Sequence, residues 1–286
     1  MTTAFTTLIS ATELAALLAR EPKPVVIDTS FDLADTEAGE KRFRASHLPG
    51  SHYLHLDRDL SGTKNGRNGR HPLPARADFA RTVAALGIGP ETAVVALDGQ
   101  GGVYAARLWW MLRWLGHRSV AVLDGGISAW QRAGGALTDQ PSPAPVPAQT
   151  PYPDRPSLAP SVDAAGVATR PPRRAVLDAR SGERFRGEAE PIDRVAGRVP
   201  GSVNLPMTDL LAPDGSFLPP DEVRLRAAAA GVHRDTPVGT SCGSGVTAAQ
   251  LALALHTAGI DAIPYVGSWS EWIEDPTRPV ATGATP

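Results

Sequence analysis

One cysteine stands in a short stretch that is rich in glycine and serine. Cys242 is the only cysteine of the 286 residues, and it lies within Ser241-Cys-Gly-Ser-Gly-Val-Thr247. A lone cysteine is more often a small buried hydrophobe than a nucleophile. Here the neighbours are Gly, Ser and Thr rather than large aliphatic residues, so the sequence favours a reactive thiol.

The segments on either side of Cys242 indicate how the thiol is held. Residues 236–240 are typical of the end of a strand, and residues 247–258, rich in Ala and Leu and closed by Gly259, predict a helix. A glycine-containing loop between a strand and a helix can turn its backbone N–H groups inward and bind an anion. We therefore expect the thiolate, the nucleophilic form, to be favoured at this position.

Length and composition limit the classes of protein to which the chain can belong. A chain of 286 residues exceeds what one hydrophobic core usually serves, so two domains are expected. With 28 Lys and Arg against 30 Asp and Glu, no basic excess points to nucleic acid or an anionic membrane. One cysteine excludes an internal disulfide and a multi-cysteine metal site. The sequence has neither a signal-peptide pattern nor about eighteen consecutive apolar residues, so we expect a cytoplasmic protein without a membrane span. It also has no cluster of metal ligands and no phosphate-loop pattern, so we expect no metal or cofactor.

Short apolar runs alternate with helical patterns along the chain. Residues 24–28, 93–97 and 120–124 predict buried parallel strands, and residues 78–86 and 103–115 predict helices. Residues 61–71 are polar and glycine-rich, which predicts a surface loop. The alternation predicts an α/β fold, a mainly parallel sheet with helices on both faces.

The second half of the chain repeats the first. The repeated stretches are Val25-Val-Ile-Asp28 and Ala175-Val-Leu-Asp178, Arg42-Phe-Arg44 and Arg184-Phe-Arg186, Leu48-Pro-Gly-Ser51 and Val199-Pro-Gly-Ser202, and Gly125-Gly-Ile-Ser-Ala-Trp130 and Gly267-Ser-Trp-Ser-Glu-Trp272. A proline-rich segment separates them, so we predict one domain over 1–138, a linker over 139–160 and a second domain over 161–286. Aligning Gly102-Val103 with Gly245-Val246 places Gly99 opposite Cys242. Only the second domain is therefore expected to be catalytic.

These features together resemble the tandem rhodanese-type sulfurtransferases over essentially the whole chain. The resemblance rests on the repeated stretches above and on Cys242-Gly-Ser-Gly-Val-Thr-Ala248. It implies two rhodanese-like domains and a Cys242 that carries a sulfane sulfur, as a persulfide, from a small-molecule donor to an acceptor. The acceptor would be cyanide, a small thiol or a thioredoxin-like protein. The loop residues Gly243, Gly245, Val246 and Thr247 would bind the anionic substrate.

The two residues after Cys242 bear on the donor. In the family that the chain resembles, members specialised for thiosulfate tend to have Arg-Lys there, and members that use 3-mercaptopyruvate tend to have Gly-Ser or Gly-Thr. This chain has Gly243-Ser244. An uncharged loop compensates a dianion poorly, whereas a serine hydroxyl can polarise a thiol-ketone. We expect 3-mercaptopyruvate as donor, releasing pyruvate; thiosulfate as the main donor, or a non-catalytic sulfur-carrier or binding module, are the alternatives.

The resemblance also implies two arginines that hold the donor carboxylate, because a guanidinium can donate two parallel hydrogen bonds to it. The first matches Arg184. The second falls on Asp193, so Arg194 matches with one inserted residue, and Arg186 is the alternative.

A proton relay is implied as well, in which an Asp and a His of the first domain orient the hydroxyl of Ser244. Asp57 and His71 occupy the matching places, and the alternatives for this pair are His52, His55 and Asp59.

A cysteine phosphatase is the rival enzyme class, since its loop also binds an anion beside a thiolate. It requires an arginine six positions after the cysteine, and Ala248 stands there. The sequence also has no phosphate-binding Gly-Lys-Ser/Thr pattern. Neither a phosphatase nor a nucleotide-binding protein is therefore expected.

Overall fold

The chain forms two compact units in a computed structural model that describes residues 7–148, 150–171 and 173–284. The first unit combines Met1–Gly62, Leu73–Ala159 and Pro213–Ser216; the second combines Thr63–Pro72, Pro160–Ala212 and Phe217–Pro286. The short segment Thr63–Pro72 thus packs with the second unit, although it lies within the span 1–138 predicted for the first domain. The predicted domain and linker limits stay predictions.

The first unit alternates strands and helices. In chain order its elements are β1 (Leu8–Ile9), α1 (Ala11–Leu18), β2 (Val25–Asp28), α2 (Ala38–Ala45), β3 (His52–Tyr53), α3 (Arg76–Ala85), β4 (Val94–Leu97), α4 (Val103–Trp114), β5 (Val120–Leu123) and α5 (Gly126–Arg132). Helix α1 begins with a capping box, in which the side chains of Ser10 and Glu13 each accept a backbone N–H of the other residue.

All strands of the first sheet are parallel, in the order β1-β5-β4-β2-β3. One core cluster joins the sheet residues Val26, Val95 and Leu123 to Leu14 of α1 and Trp130 of α5. Side chains alternate across a strand, so the intervening apolar residues face the other side of the sheet. The strands are therefore buried on both faces, which explains their unbroken apolar sequences.

The second unit repeats this arrangement. Its elements are α6 (Ala164–Ala168), β6 (Ala175–Asp178), α7 (Gly182–Arg186), β7 (Val203–Asn204), a 3-10 helix (Met207–Leu210), α8 (Pro220–Ala229), β8 (Val238–Ser241), α9 (Val246–Thr257), β9 (Ala262–Pro264) and α10 (Ser268–Trp272). Its sheet, in the order β7-β6-β8-β9, is again parallel and corresponds to the first sheet from β3 to β5.

The repetition extends to single hydrogen bonds. The hydroxyl of Ser51 donates to the carbonyl of Leu48 at 2.6 Å, and Ser202 donates to Val199 at 2.7 Å. The predicted α/β fold with two parallel sheets is therefore confirmed. No helix within the described part of the chain is long and apolar enough to span a membrane.

The equivalent acids at the ends of β2 and β6 have different surroundings. Asp178 forms an ion pair with Arg180 at 2.7 Å. Asp28 is buried and has Ser30 at the corresponding position, whose N–H donates to the carboxylate at 2.7 Å. Burial raises the pKa of Asp28 to about 6, against the lowering effect of the Ser30 hydrogen bonds.

Asp28→Asn is expected to remove a pH-dependent loss of stability. An aspartate ionises near pH 3.9 in the unfolded chain, so folding favours its protonated form, and this stabilisation is lost as the pH rises from about 4 to about 6. The two pKa values differ by about two units, equivalent to about 3 kcal/mol. Urea unfolding of both proteins at pH 4 and pH 7 measures this loss. A wild-type minus variant difference in unfolding free energy that is the same at both pH values would contradict the assignment.

Candidate active site

Cys242 follows β8 directly, in the loop that leads into α9. The side chain is buried, and its Sγ accepts the backbone N–H of Gly245 at 3.1 Å. Such a hydrogen bond stabilises negative charge on the sulfur. Gly245 has a φ of +84°, and a Cβ there would lie 1.9 Å from the carbonyl oxygen of Val266. Only glycine fits this turn, which aims the N–H at the sulfur.

Ser268 holds the backbone of Cys242 from the other side. The N–H of Cys242 donates to Ser268 Oγ at 3.0 Å, and this hydroxyl donates to the carbonyl of Tyr265 at 2.8 Å and lies 3.9 Å from Sγ. Ser268 has a φ of +50°, a left-handed backbone conformation that residues other than glycine rarely adopt. Its equivalent in the first unit is Gly126, with a φ of +55°. Sequence reasoning did not single out Ser268, although a serine in place of the repeat's glycine was a usable signal.

Helix α10 anchors the rest of the loop. The N–H of Trp269 donates to the carbonyl of Cys242 at 3.0 Å, and the N–H of Ser270 donates to the carbonyl of Gly243 at 2.8 Å. Val246 and Thr247 form the first residues of α9. The loop is thus fixed at both carbonyls before the helix begins.

A buried cation lies behind the loop. Arg180 binds both carboxylate oxygens of Asp178 and lies 3.4 Å from Glu190, and its guanidinium stacks on Trp269 at 5.0 Å. Burial opposes the charged form, but Asp178 and Glu190 more than offset it and raise the pKa of Arg180; negative charge on Cys242 acts in the same direction. The attraction is mutual, so Arg180 stabilises negative charge on a sulfur species held at this position. The sequence signal for Arg180 was that an arginine stands in the second copy where the first copy has Ser30.

The structure brings His71 to the loop serine. His71 Nδ1 lies 2.8 Å from Ser244 Oγ, and both side chains are buried. His71 belongs to Thr63–Pro72, the segment that packs with the second unit. Ser244 stands two residues after Cys242. Its hydroxyl and the titratable imidazole of His71 form an arrangement suited to proton transfer.

The other members of the predicted relay lie in the first unit. The N–H of Asp57 donates to His55 Nδ1 at 3.1 Å, and the N–H of His55 donates to Asp59 at 2.7 Å. His52 forms β3, and burial lowers its pKa. The role of Asp57 in a relay stays a prediction.

Arg184 lies beside Gly243. Its Nε and Nη2 donate to the buried carboxylate of Glu190 at 3.1 and 2.7 Å, and Nη2 also donates to Asp193 at 3.0 Å. A Cβ placed on Gly243 would lie 3.5 Å from Arg184 Nη2 and 3.0 Å from Nη2 of Arg70. A second guanidinium, which sequence reasoning missed although it adjoins His71, therefore lies at the loop.

The two remaining candidate arginines bind elsewhere. Arg194 is 58% exposed, and its Nη2 donates to the carbonyl of Ile273 and lies 3.3 Å from Glu274. Arg186 donates to Glu188 at 2.7 Å in a solvent-exposed pair. Among the described residues, neither of them forms a hydrogen bond or ion pair with the loop, and their substrate-binding roles stay predictions.

In the corresponding loop of the first unit, a carboxylate of the chain accepts the backbone N–H groups. The carboxylate of Asp98, which aligns with Ser241, accepts N–H groups from the loop and from the start of α4, namely those of Gln100, Gly102, Tyr104 and Ala105, at 2.8 to 3.0 Å. Gly99 stands where Cys242 stands in the second unit. An internal carboxylate thus fills the anion site of the copy that lacks a thiol.

Comparison with known proteins agrees with this description. The family described as "Rhodanese-like domain" matches residues 10–133 and 164–275. The probable 3-mercaptopyruvate sulfurtransferase of Pseudomonas aeruginosa is 45% identical over 96% of this chain and 98% of its own length. The putative thiosulfate sulfurtransferase SseB of Mycobacterium tuberculosis is 39% identical over 96% and 97%.

Among solved structures, 3-mercaptopyruvate sulfurtransferase from Leishmania major superimposes with a TM-score of 0.82 at 30% identity, covering 93% of this chain and 74% of that protein. The relatives thus carry the names of two sulfur donors, and the choice between them depends on the site of this chain.

Proposed function

Because this chain belongs to the family of rhodanese-like domain proteins and is a sulfurtransferase, as the sequence predicted, we propose that it takes sulfur from 3-mercaptopyruvate. Cys242 attacks the donor sulfur, the carbon–sulfur bond breaks, and pyruvate leaves as its enolate. The proton of the donor thiol ends on the enolate carbon, so no external oxidant or reductant is needed. The Cys242 persulfide then passes its outer sulfur to a thiophilic acceptor.

One observation carries this proposal, the placement of Cys242 Sγ in a loop that donates an N–H to it at 3.1 Å. A persulfide is also an anion, so donors that favour the thiolate favour the product as well. The buried cation of Arg180 acts in the same sense.

The donor choice rests on the distribution of positive charge. Gly243 and Ser244 supply no charge within the loop, while the guanidiniums of Arg184 and Arg70 lie beside Gly243 and are each paired with a carboxylate. A singly charged carboxylate at one end of a donor fits such an arrangement better than the dianion thiosulfate does. Thiosulfate is proposed as a slower donor.

The pair of His71 and Ser244 is proposed to deliver the proton. The 2.8 Å contact of His71 Nδ1 with Ser244 Oγ, two residues along the loop from Cys242, supports this proposal. Proton delivery to the enolate carbon would speed departure of pyruvate. The acceptor, proposed to be cyanide, a small thiol or a thioredoxin-like protein in the cytoplasm, attacks the outer sulfur in a later step.

The test is intact-mass analysis of the protein after one exposure to donor. Wild type is expected to gain about 32 Da from 3-mercaptopyruvate, the mass of one sulfur held covalently. It should gain the same mass from thiosulfate more slowly, and cyanide should remove it. A mass gain from thiosulfate that is the faster of the two would overturn the donor assignment, and no gain from either donor would overturn the persulfide scheme.

A further inference from the structure

We propose that Arg70 is the second carboxylate-binding arginine of this site, acting with Arg184. This inference rests on the proposed function, since the carboxylate is that of the donor. The position nine residues after Arg184, where the family resemblance places an arginine, holds Asp193 instead. An acidic residue there would repel a carboxylate unless its charge were neutralised.

The structure shows how Asp193 is neutralised. Its side chain is 4% exposed, and its two oxygens bind two different guanidiniums, Arg184 Nη2 at 3.0 Å and Arg70 Nη1. Asp193 therefore does not face the donor as a free charge. It tethers a guanidinium from a segment 123 positions away, beside the arginine that the sequence predicts.

Each guanidinium keeps an uncommitted end over the catalytic loop. A Cβ built on Gly243 would lie 3.0 Å from Arg70 Nη2 and 3.7 Å from Arg184 Nη1. Within the described residues, neither of these two nitrogens donates a hydrogen bond, and the buried Nε of Arg70 also has no partner. Only the Nε is buried, whereas the side chains of Arg70 and Arg184 are 24% and 17% exposed, so the two terminal nitrogens can donate to an acceptor group that arrives with a ligand.

The backbone of Arg70 is fixed to the same unit as the loop. Its N–H donates to Ser270 Oγ at 3.0 Å, and the N–H of Ser270 donates to the carbonyl of Gly243. Gly69 has a φ of +78°, and a Cβ there would lie 2.9 Å from Ser270 Oγ and 3.0 Å from the carbonyl of Gly267. The chain thus approaches α10 at a position that only glycine permits, and the following Arg70 is held at the loop.

The charges around the two guanidiniums balance before a donor arrives. Arg70, Arg180 and Arg184 are matched by three carboxylates, those of Asp178, Glu190 and Asp193. Attraction by net charge is therefore weak, and binding depends on directed N–H groups. A carboxylate, with oxygens in one plane, can accept from two guanidinium ends at once.

The experiment measures equilibrium binding of 3-mercaptopyruvate by calorimetry to the full chain carrying Cys242→Ser, which removes the thiol nucleophile. Adding Arg70→Ala is expected to weaken binding by about tenfold to a hundredfold, the effect of losing a charged hydrogen bond. Arg70→Lys should lie between the two, since it keeps the charge but not the two-pronged geometry. Arg67→Ala removes an exposed arginine from the same segment and serves as the matched control.

Each outcome decides the assignment. Weaker binding with Arg70→Ala, and unchanged binding with Arg67→Ala, supports it if the melting temperature of both variants stays near that of the parent. Loss of binding with Arg194→Ala instead of Arg70→Ala overturns it, as does absence of carboxylate binding in the Cys242→Ser parent. The sulfur-transfer proposal is decided separately, by the mass gain of wild type.

Discussion

Cys242→Ala is expected to abolish sulfur uptake. With the thiol replaced by hydrogen no persulfide can form, so the variant should gain no mass from either donor, and turnover should fall by at least about 10⁴-fold. The loop should survive, because its carbonyl bonds to Trp269 and Ser270 and its N–H bond to Ser268 involve only the backbone of residues 242 and 243. Steady-state turnover with cyanide as acceptor, together with intact mass, measures the effect.

A fold control accompanies this variant. Removing a small buried group is expected to cost about 1 to 2 kcal/mol of stability, which leaves a folded protein. Because the chain has a single cysteine, thiol titration of the unfolded protein must read one group in wild type and none in the variant. Turnover that persists in a variant verified in this way would contradict a covalent role for Cys242.

His71→Asn is expected to slow persulfide formation from 3-mercaptopyruvate by about a hundredfold to a thousandfold, the usual contribution of a general acid or base. Asparagine keeps a hydrogen-bonding atom near the Nδ1 position, which lies 2.8 Å from Ser244 Oγ, but its amide neither gains nor loses a proton near neutral pH. Transfer from thiosulfate should change little, because sulfite leaves as an anion without needing a proton on carbon. Rapid-quench mass analysis with each donor gives the two rates.

The hydrogen-bond partner of His71, Ser244, and an exposed histidine that can serve as a control both lie in the second unit. Ser244→Ala should reduce the same rate, and the double variant should be no slower than the worse single one, since one hydrogen bond joins the pair. The exposed His233, changed to Asn, controls for loss of an imidazole. Equal slowing with both donors, or strictly additive effects of the two changes, would argue against proton delivery.

Much of the fold is readable from local patterns. The strand predicted over 93–97 is β4, Val94–Leu97, and the helix predicted over 103–115 is α4, Val103–Trp114. Both are apolar segments bounded by glycine or polar residues, and most of their side chains are buried, so the change in polarity marks their limits. The repetition then doubled the information, because a strand recognised in one copy identified its equivalent in the other.

The site was harder to predict from the sequence, because its residues are far apart along the chain. Cys242 and Ser244 lie two positions apart, and residue types pointed to the first and the family resemblance to the second, whereas the contact of Ser244 with His71 spans 173 positions. Arg70 reaches Asp193 only because Gly69 turns the backbone against α10. No periodicity encodes such a contact. Differences between the two copies are the signal that sequence reasoning left unused, since Ser268 and Arg180 stand where the first copy has Gly126 and Ser30.

The carboxylate of Asp98 bears on any attempt to give the first unit a catalytic thiol. In the second unit the N–H of Gly245 donates to Cys242 Sγ, whereas in the first unit the N–H groups of Gly102 and Tyr104 already donate to Asp98. Gly99→Cys alone is therefore not expected to create a second persulfide site, because the new sulfur would find these donors engaged. Both Asp98 and Gly99 would have to change.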